Sequence, residues 1–177
     1  MPLSRSLTIS ALALSLLLGG CDRQSGQQAQ GEPAAGIART HRGSELPDFT
    51  FNDAAGRELQ LKDLKGKPLL INLWATWCAP CVAELPALDR LAASGEIKVL
   101  TVSQDMGQPE KVSAFLKQRG VTRLEPWLDP ENDLGFHYRA TLPTSILFDA
   151  QGREVWRVIG PREWDDAETR ALLAEAE

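Results

Sequence analysis

Histidine and cysteine are scarce in this sequence, which contains two histidines and three cysteines among 177 residues. A structural zinc site needs four ligands, usually two close cysteine pairs or one pair with histidines at short spacing. The two histidines, His41 and His137, have no such spacing to the close cysteine pair, Cys78 and Cys81. The sequence therefore argues against a zinc site.

Clusters of lysine and arginine are also absent, and the formal net charge is -5. Nucleic acids and anionic membrane surfaces are bound through concentrated positive charge, so we expect no nucleic-acid partner. The sequence has no internal repeat and no segment that predicts a second core. Its length suits one domain of ordinary size with appendages.

The first part of the chain, residues 1–20, has the pattern of a secretory signal peptide. Arg5 precedes an apolar stretch, Leu7 to Leu18, that is too short for a comfortable transmembrane helix. The sequence "LGGC" then resembles a bacterial lipobox, which implies cleavage before Cys21 and lipid attachment to that residue. The alternative is an ordinary signal peptide followed by an unmodified cysteine. Lipidation of Cys21 would leave only the close cysteine pair in an exported protein.

Residues 21–43 are rich in glutamine, glycine and alanine and have no apolar period. This composition predicts a flexible tether, which spans about 25 Å if it behaves as a random coil. Docking of the glutamine-rich stretch on a partner is an alternative that no residue in it supports. We place the folded domain at residues 44–177.

Within that domain the hydrophobic pattern predicts an α/β fold with strands and helices in alternation. "FTFNDAAGRELQL" has the alternation and turn residues of a hairpin, which forms an N-terminal extension. "KPLLINLWAT" and "IKVLTVSQD" are continuous apolar runs typical of buried central strands. Three helices are predicted at Pro80 to Ala93, in "PEKVSAFLKQRG" and, as a short one, in "DPENDLGFHYRA". A hairpin of "TSILFD" and "REVWRVIG" follows, and "PREWDDAETRALLAEAE" is the closing helix. This order predicts a central mixed β-sheet flanked by helices.

The cysteine pair lies where the first central strand ends and its helix begins, the edge at which α/β sheets place their chemistry. Cys78 at a helix N-terminus would be favoured as a thiolate by unpaired N–H groups and the helix dipole. Cys81, one turn later, can close a disulfide with it. Pro80 falls in the first turn, where a missing N–H costs least. A purely structural disulfide is disfavoured because so small a loop stabilises a fold weakly.

The motif "WCAPC" after an apolar strand resembles the active site of the thioredoxin fold. Pro86, five residues past the second cysteine, matches the helix proline of that fold, and "TLPT" at residues 141–144 resembles its cis-proline loop. Gly160 resembles the glycine that lets a partner backbone approach. The resemblance implies a cis Pro143 facing the cysteines. It also implies a set of substrate-binding positions around them: Trp77, Pro80, Leu142 and Pro143. Trp74 is expected in the core and Trp77 as an exposed platform.

A narrower resemblance is to the TlpA/ResA/CcmG-like thiol-disulfide reductases of bacterial envelopes. "INLWATWCAPCVAELP" fits their "NxWATWCxPCxxExP" pattern, and "WLDPENDLGFHYRATLPTSILFDAQG" resembles the region that follows. Asn72 stands where thioredoxin itself has a buried aspartate. Glu84, three residues past Cys81 on the same helical face, is implied to be a partly buried acid that assists proton transfer. The alternative for Glu84 is a solvated helix residue.

The resemblance implies a periplasmic disulfide reductase that needs no cofactor beyond its dithiol, with Cys78 and Cys81 as the redox pair. Its implied partners are a DsbD/CcdA-like membrane electron donor and a disulfide-containing envelope protein, such as apocytochrome c or a copper-assembly protein. If the host is a Gram-negative bacterium, Asp22, next to the lipidated position, resembles an inner-membrane retention signal.

Two other functions remain possible from the residues. Thr76 lies two residues before Cys78, as in peroxiredoxin-like proteins, which would make the chain a thiol peroxidase. No well-placed arginine for peroxide accompanies it. A non-enzymatic copper carrier could use His137 as a distal ligand, but such relatives have wider cysteine spacing.

Overall fold

The computed structural model of the protein describes residues 36–107 and 109–177. The predicted signal peptide, Cys21, Asp22 and most of the predicted tether lie outside the described residues. Within the described ranges, no helix is long and apolar enough to cross a membrane.

Eight strands of the described chain form one mixed sheet. The strands are β1 Ile37–Ala38, β2 Thr50–Asn52, β3 Glu58–Gln60, β4 Leu69–Trp74, β5 Lys98–Ser103, β6 Trp127–Leu128, β7 Thr144–Phe148 and β8 Glu154–Ile159. Their order across the sheet is β1-β8-β7-β4-β5-β6-β2-β3. β4, β5 and β6 are parallel, and the other pairings are antiparallel. The predicted mixed sheet is thus confirmed, and β2 with β3 confirms the predicted hairpin.

Helices cover both faces of this sheet. They are α1 Ala79–Ser94, α2 Pro109–Gln118, α3 Asp133–Tyr138 and α4 Ala167–Leu173. Every residue of β4 is buried, and successive β4 side chains alternate between two core clusters. α1, α2 and α4 contribute to one cluster, while α3 and the helical turn Leu61–Leu64 contribute to the other. This two-sided burial explains why β4 reads as a continuous apolar run.

Local sequence explains where α1 begins and ends. Cys78 is its N-cap in an extended conformation, and Pro80 lies in the first turn, where no N–H is needed. Gly95 ends the helix with φ at 71°, the left-handed conformation that glycine adopts without a Cβ penalty. The predicted helix of residues 80–93 therefore matches the structure to within one residue at each end.

The folded part begins earlier than the predicted boundary at residue 44. Ile37 and Ala38 pair with Val158 and Arg157 of β8, and the Gly43 amide donates to Glu154 O at 2.7 Å. Backbone hydrogen bonds hold this edge strand, and its side chains are only half-buried. The predicted tether of residues 21–43 is therefore too long at its carboxyl end, because a two-residue edge strand produces no hydrophobic alternation.

The closing helix is shorter than predicted. Asp166 caps α4 by accepting a hydrogen bond from the Thr169 amide at 2.6 Å, so the helix starts only at Ala167. Residues 161–166 instead run in irregular backbone beside α1. They supply contacts to the redox site that the sequence pattern did not reveal.

Candidate active site

The two close cysteines form a disulfide at the carboxyl end of β4, with their Cα atoms 5.3 Å apart. Cys78 caps α1, and its Sγ accepts a hydrogen bond from the Cys81 amide at 3.4 Å. Cys81 lies beneath it and is 1% exposed, against 6% for Cys78. In the reduced state, the helix N-terminus and the same amide would favour a thiolate at Cys78.

The proline loop lies on the neighbouring strand. The Leu142–Pro143 peptide bond is cis, as predicted, and it leads directly into β7. Thr144 of β7 pairs with Leu73 of β4, which brings this loop to the edge where the disulfide lies. The Gly160 amide donates to Pro143 O at 2.8 Å, so the predicted glycine lies next to the cis-proline loop.

The tryptophans before the cysteines lie as predicted. Trp74 is buried in the core, and Trp77 is 70% exposed. Pro80 is exposed on the first turn of α1, whereas Leu142 is half-buried and packs against both core clusters. The structure therefore offers Trp77 and Pro80 to a partner directly and gives Leu142 a mainly structural setting.

Met106 is an exposed apolar side chain at this edge that sequence reasoning missed. It is 86% exposed on the loop after β5. The neighbouring Asp105 carboxylate accepts hydrogen bonds from the amide and the hydroxyl of Thr76 at 2.8 and 2.6 Å. These bonds join the Met106 loop to the loop that carries Trp77. The sequence signal for this exposed side chain was the presence of apolar Met106 in the otherwise polar loop after β5.

Glu84 is more deeply buried than expected, with 5% of the residue exposed. Its Oε1 accepts a hydrogen bond from the Arg162 amide at 2.7 Å and another from Trp164 Nε1 at 3.0 Å. Burial raises the pKa of Glu84 to about 7, although the hydrogen bonds from Arg162 and Trp164 oppose that rise. A carboxyl group with this pKa can exchange a proton near neutral pH.

The two alternative functions gain no support from the geometry. The Thr76 hydroxyl, which a peroxidase would direct at peroxide, donates to Asp105, whose carboxylate also accepts from Ser103 Oγ at 2.7 Å. The His137 ring packs edge-on against Phe49 and Tyr138, with centroids 5.6 and 4.8 Å away. Across residues 36–107 and 109–177, no group of three or more His, Cys, Asp or Glu side chains could hold a metal ion.

Comparison with known proteins places this geometry in a family. The family model described as Redoxin matches residues 41–173. The thiol-disulfide oxidoreductase ResA of Bacillus thuringiensis is 33% identical over 128 residues, which cover 71% of this chain and 74% of that protein. ResA of Bacillus subtilis is 33% identical over 129 residues, or 71% of this chain and 72% of ResA.

Solved structures agree with the sequence matches. The exposed lipoprotein thioredoxin Etrx1 of Streptococcus pneumoniae superposes with a TM-score of 0.59 at 29% identity, covering 71% of this chain and 98% of Etrx1. A thioredoxin-family thiol:disulfide interchange protein of Chlorobium tepidum gives a TM-score of 0.60 at 26% identity, covering 76% and 97%. The site itself has a disulfide at a helix N-terminus and a cis proline on the neighbouring strand. Together with this site, the matches show that the chain belongs to the redoxin family and is a TlpA/ResA/CcmG-like thiol-disulfide oxidoreductase of the thioredoxin superfamily.

Proposed function

We propose that the protein is a membrane-anchored reductase that reduces disulfides of other proteins in the bacterial periplasm. The observation that carries the proposal is the placement of the Cys78 sulfur at the N-terminus of α1, with Cys81 buried one turn behind it. This arrangement separates an attacking thiolate from a resolving thiol, which a reductase of disulfides requires.

The exchange proceeds in two displacements. The Cys78 thiolate attacks a substrate disulfide, forms a mixed disulfide and releases one substrate sulfur as a thiolate. Cys81 then gives its proton to the Glu84 carboxylate, and the resulting thiolate attacks the Cys78 sulfur and frees the second substrate thiolate. Two electrons pass from the enzyme dithiol to the substrate, whose thiolates take protons from solvent. The dithiol is the redox group that this scheme needs, and no cofactor takes part.

The substrate in this proposal is a polypeptide, for which exposed Trp77 and Met106 offer apolar contact beside Cys78. Membership of the TlpA/ResA/CcmG-like group favours disulfides of apocytochrome c or of copper-assembly proteins as substrates. A membrane protein of the DsbD/CcdA kind is the proposed donor that returns the Cys78–Cys81 pair to the dithiol.

Replacing the resolving cysteine tests this function. The variant Cys81→Ser should accumulate mixed disulfides between Cys78 and envelope proteins, because the second displacement cannot occur. Non-reducing electrophoresis followed by mass spectrometry identifies the trapped proteins. The matched variant Cys78→Ser should trap far less, since the remaining thiol is buried. Equal trapping by both variants, or none by either, would refute the assignment.

The course of the chain supports anchoring at the active-site side. β1 runs antiparallel to β8, and Ile37 pairs with Val158, one row from the end of the sheet that carries the disulfide. Gly36 therefore joins the sheet from that end. The pneumococcal relative Etrx1 is described as an exposed lipoprotein. Lipidation at Cys21 would then attach the chain to the membrane that holds the donor through a segment that enters the sheet at its redox edge. Asp22 favours the inner membrane of a Gram-negative host.

Substitution of the proposed lipid-bearing cysteine tests the anchor. Cys21→Ala should move nearly all of the protein from the membrane pellet to the soluble periplasmic fraction, because the acyl chains supply the binding energy. Fractionation with immunoblotting measures this, and Cys81→Ser, a cysteine change outside the lipobox, should remain in the pellet. A wild-type protein recovered wholly in the soluble fraction would contradict the proposal.

A further inference from the structure

Glu84 is held by a segment far away in sequence. Both donors that reach its carboxylate, the Arg162 amide and the Trp164 indole N–H, come from residues 161–164 and both bind Oε1. Among the described residues, no donor reaches Oε2, although this oxygen is buried. One carboxylate oxygen is thus fixed in place, and the other is free to carry a proton.

The same segment forms one wall of a cavity that reaches Glu84 from the side of α1. The cavity has a volume of about 300 Å³, and Pro161, Arg162 and Glu163 face Pro80 and Ala83 across it. Glu84 also lines this cavity, so its carboxyl group can exchange protons with solvent at a place apart from Trp77 and the proline loop.

The charged groups around Glu84 come from this segment and from α4. The Arg162 guanidinium donates to Thr169 Oγ1 at 2.8 Å and lies 3.3 Å from Glu168, so these partners engage its charge. Glu163 lines the cavity, and its negative charge raises the pKa of Glu84. From β4, Asn72 presents a neutral amide. The indole N–H of Trp164 is therefore the donor side chain that most directly favours the charged carboxylate.

We propose that Trp164 is a positioning residue for disulfide exchange, which holds Glu84 through Oε1 so that Oε2 receives the proton of the resolving thiol. The inference rests on the proposed function, since it assigns a role within the second displacement. Trp164 itself touches neither sulfur nor substrate in this scheme. It acts by fixing the orientation of Glu84 and by stabilising its ionised form.

The variant Trp164→Phe tests the inference because it removes the donor and keeps an aromatic ring. Loss of a hydrogen bond to a charged group favours the protonated acid. The midpoint of the pH profile for exchange should therefore move upward by about one pH unit. The profile is measured as single-turnover oxidation of the reduced full-length protein by insulin, quenched in acid and followed by thiol alkylation.

Trp156→Phe is the matched control. Trp156 is equally buried in the same core cluster, and its indole N–H donates to Leu172 O at 3.0 Å, away from Glu84. This variant has a comparable packing loss and should keep the wild-type midpoint. In a Glu84→Gln background, Trp164→Phe should cause no further change in the profile, as a residue acting through Glu84 requires.

A wild-type midpoint in Trp164→Phe would overturn the inference, as would an equal shift with or without Glu84. Both results leave the proposed function intact, because the wild type still exchanges disulfides with insulin. Failure of the wild type to exchange at any pH would instead refute the proposed function itself.

Discussion

Glu84→Gln is expected to slow disulfide exchange about 100-fold at pH values where the wild-type carboxylate is ionised, the lower range of what a positioned general base contributes. The amide is nearly isosteric and can still accept from Arg162 N and Trp164 Nε1, the two donors that hold Oε1. It cannot accept the proton of Cys81. The substitution therefore removes the proton acceptor and retains the packing of the buried site.

The direction of the pH dependence follows from the role of Glu84 as a base. Because its pKa is raised to about 7 by burial, the wild-type rate should rise with pH through neutrality as the carboxylate forms. The Glu84→Gln rate should lack that rise and follow only the ionisation of the thiols. Single-turnover oxidation by insulin, measured from about pH 5 to about pH 9, gives both profiles.

Glu163→Gln provides the control for this experiment. It makes the same chemical change in a neighbouring carboxylate that is exposed at the cavity. Removing that negative charge should move the midpoint slightly downward, because Glu163 raises the pKa of Glu84. Superimposable profiles of the wild type and Glu84→Gln would assign Glu84 a structural role and leave the helix N-terminus as the activator of the cysteines.

The parts of the fold that sequence predicted well are those with a repeating pattern. β4 is buried on both faces, and its unbroken apolar run predicts a strand. Cys78 and Pro80 then mark the start of α1, and Gly95 marks its end. Local sequence dictates these features, so they can be read without knowledge of the rest of the chain. The cis state of Pro143 came from resemblance to a family, because the tetrapeptide around it does not select that isomer.

The parts that sequence did not predict are those that depend on tertiary contacts. β1 and β6 have two residues each, too few for an alternation to be visible. Trp164 meets Glu84 across 80 residues of sequence, from irregular backbone with no period. A lone tryptophan in the polar stretch "PREWDD" was the signal, and a helical interpretation of the whole closing segment concealed it. Burial of Glu84 depends on this contact, which is why its burial was underestimated.

Glu84→Gln is also expected to make the oxidised protein more stable at alkaline pH by about 3 kcal/mol, because an ionised carboxylate is removed from a buried position. The folded-state pKa of about 7 lies above the ordinary value of 4.5. Between these values the folded state binds more protons than the unfolded state. The free energy of unfolding contributed by Glu84 is therefore complete below about pH 4.5 and is lost as pH rises through about 7.

Urea denaturation of both oxidised proteins at about pH 4.5 and at about pH 8 measures this effect. The stabilities should be similar at the lower pH, where Glu84 is neutral in the folded chain and only about half ionised in the unfolded chain, and should diverge at the higher pH. Other titrating groups are shared by the two proteins and cancel in the difference. Glu163→Gln, which alters an exposed carboxylate, should show no comparable divergence, and an equal difference at both pH values would contradict the assigned pKa. The same substitution is thus expected to stabilise the fold and to slow exchange, a trade-off typical of a buried acid that serves the chemistry of a site.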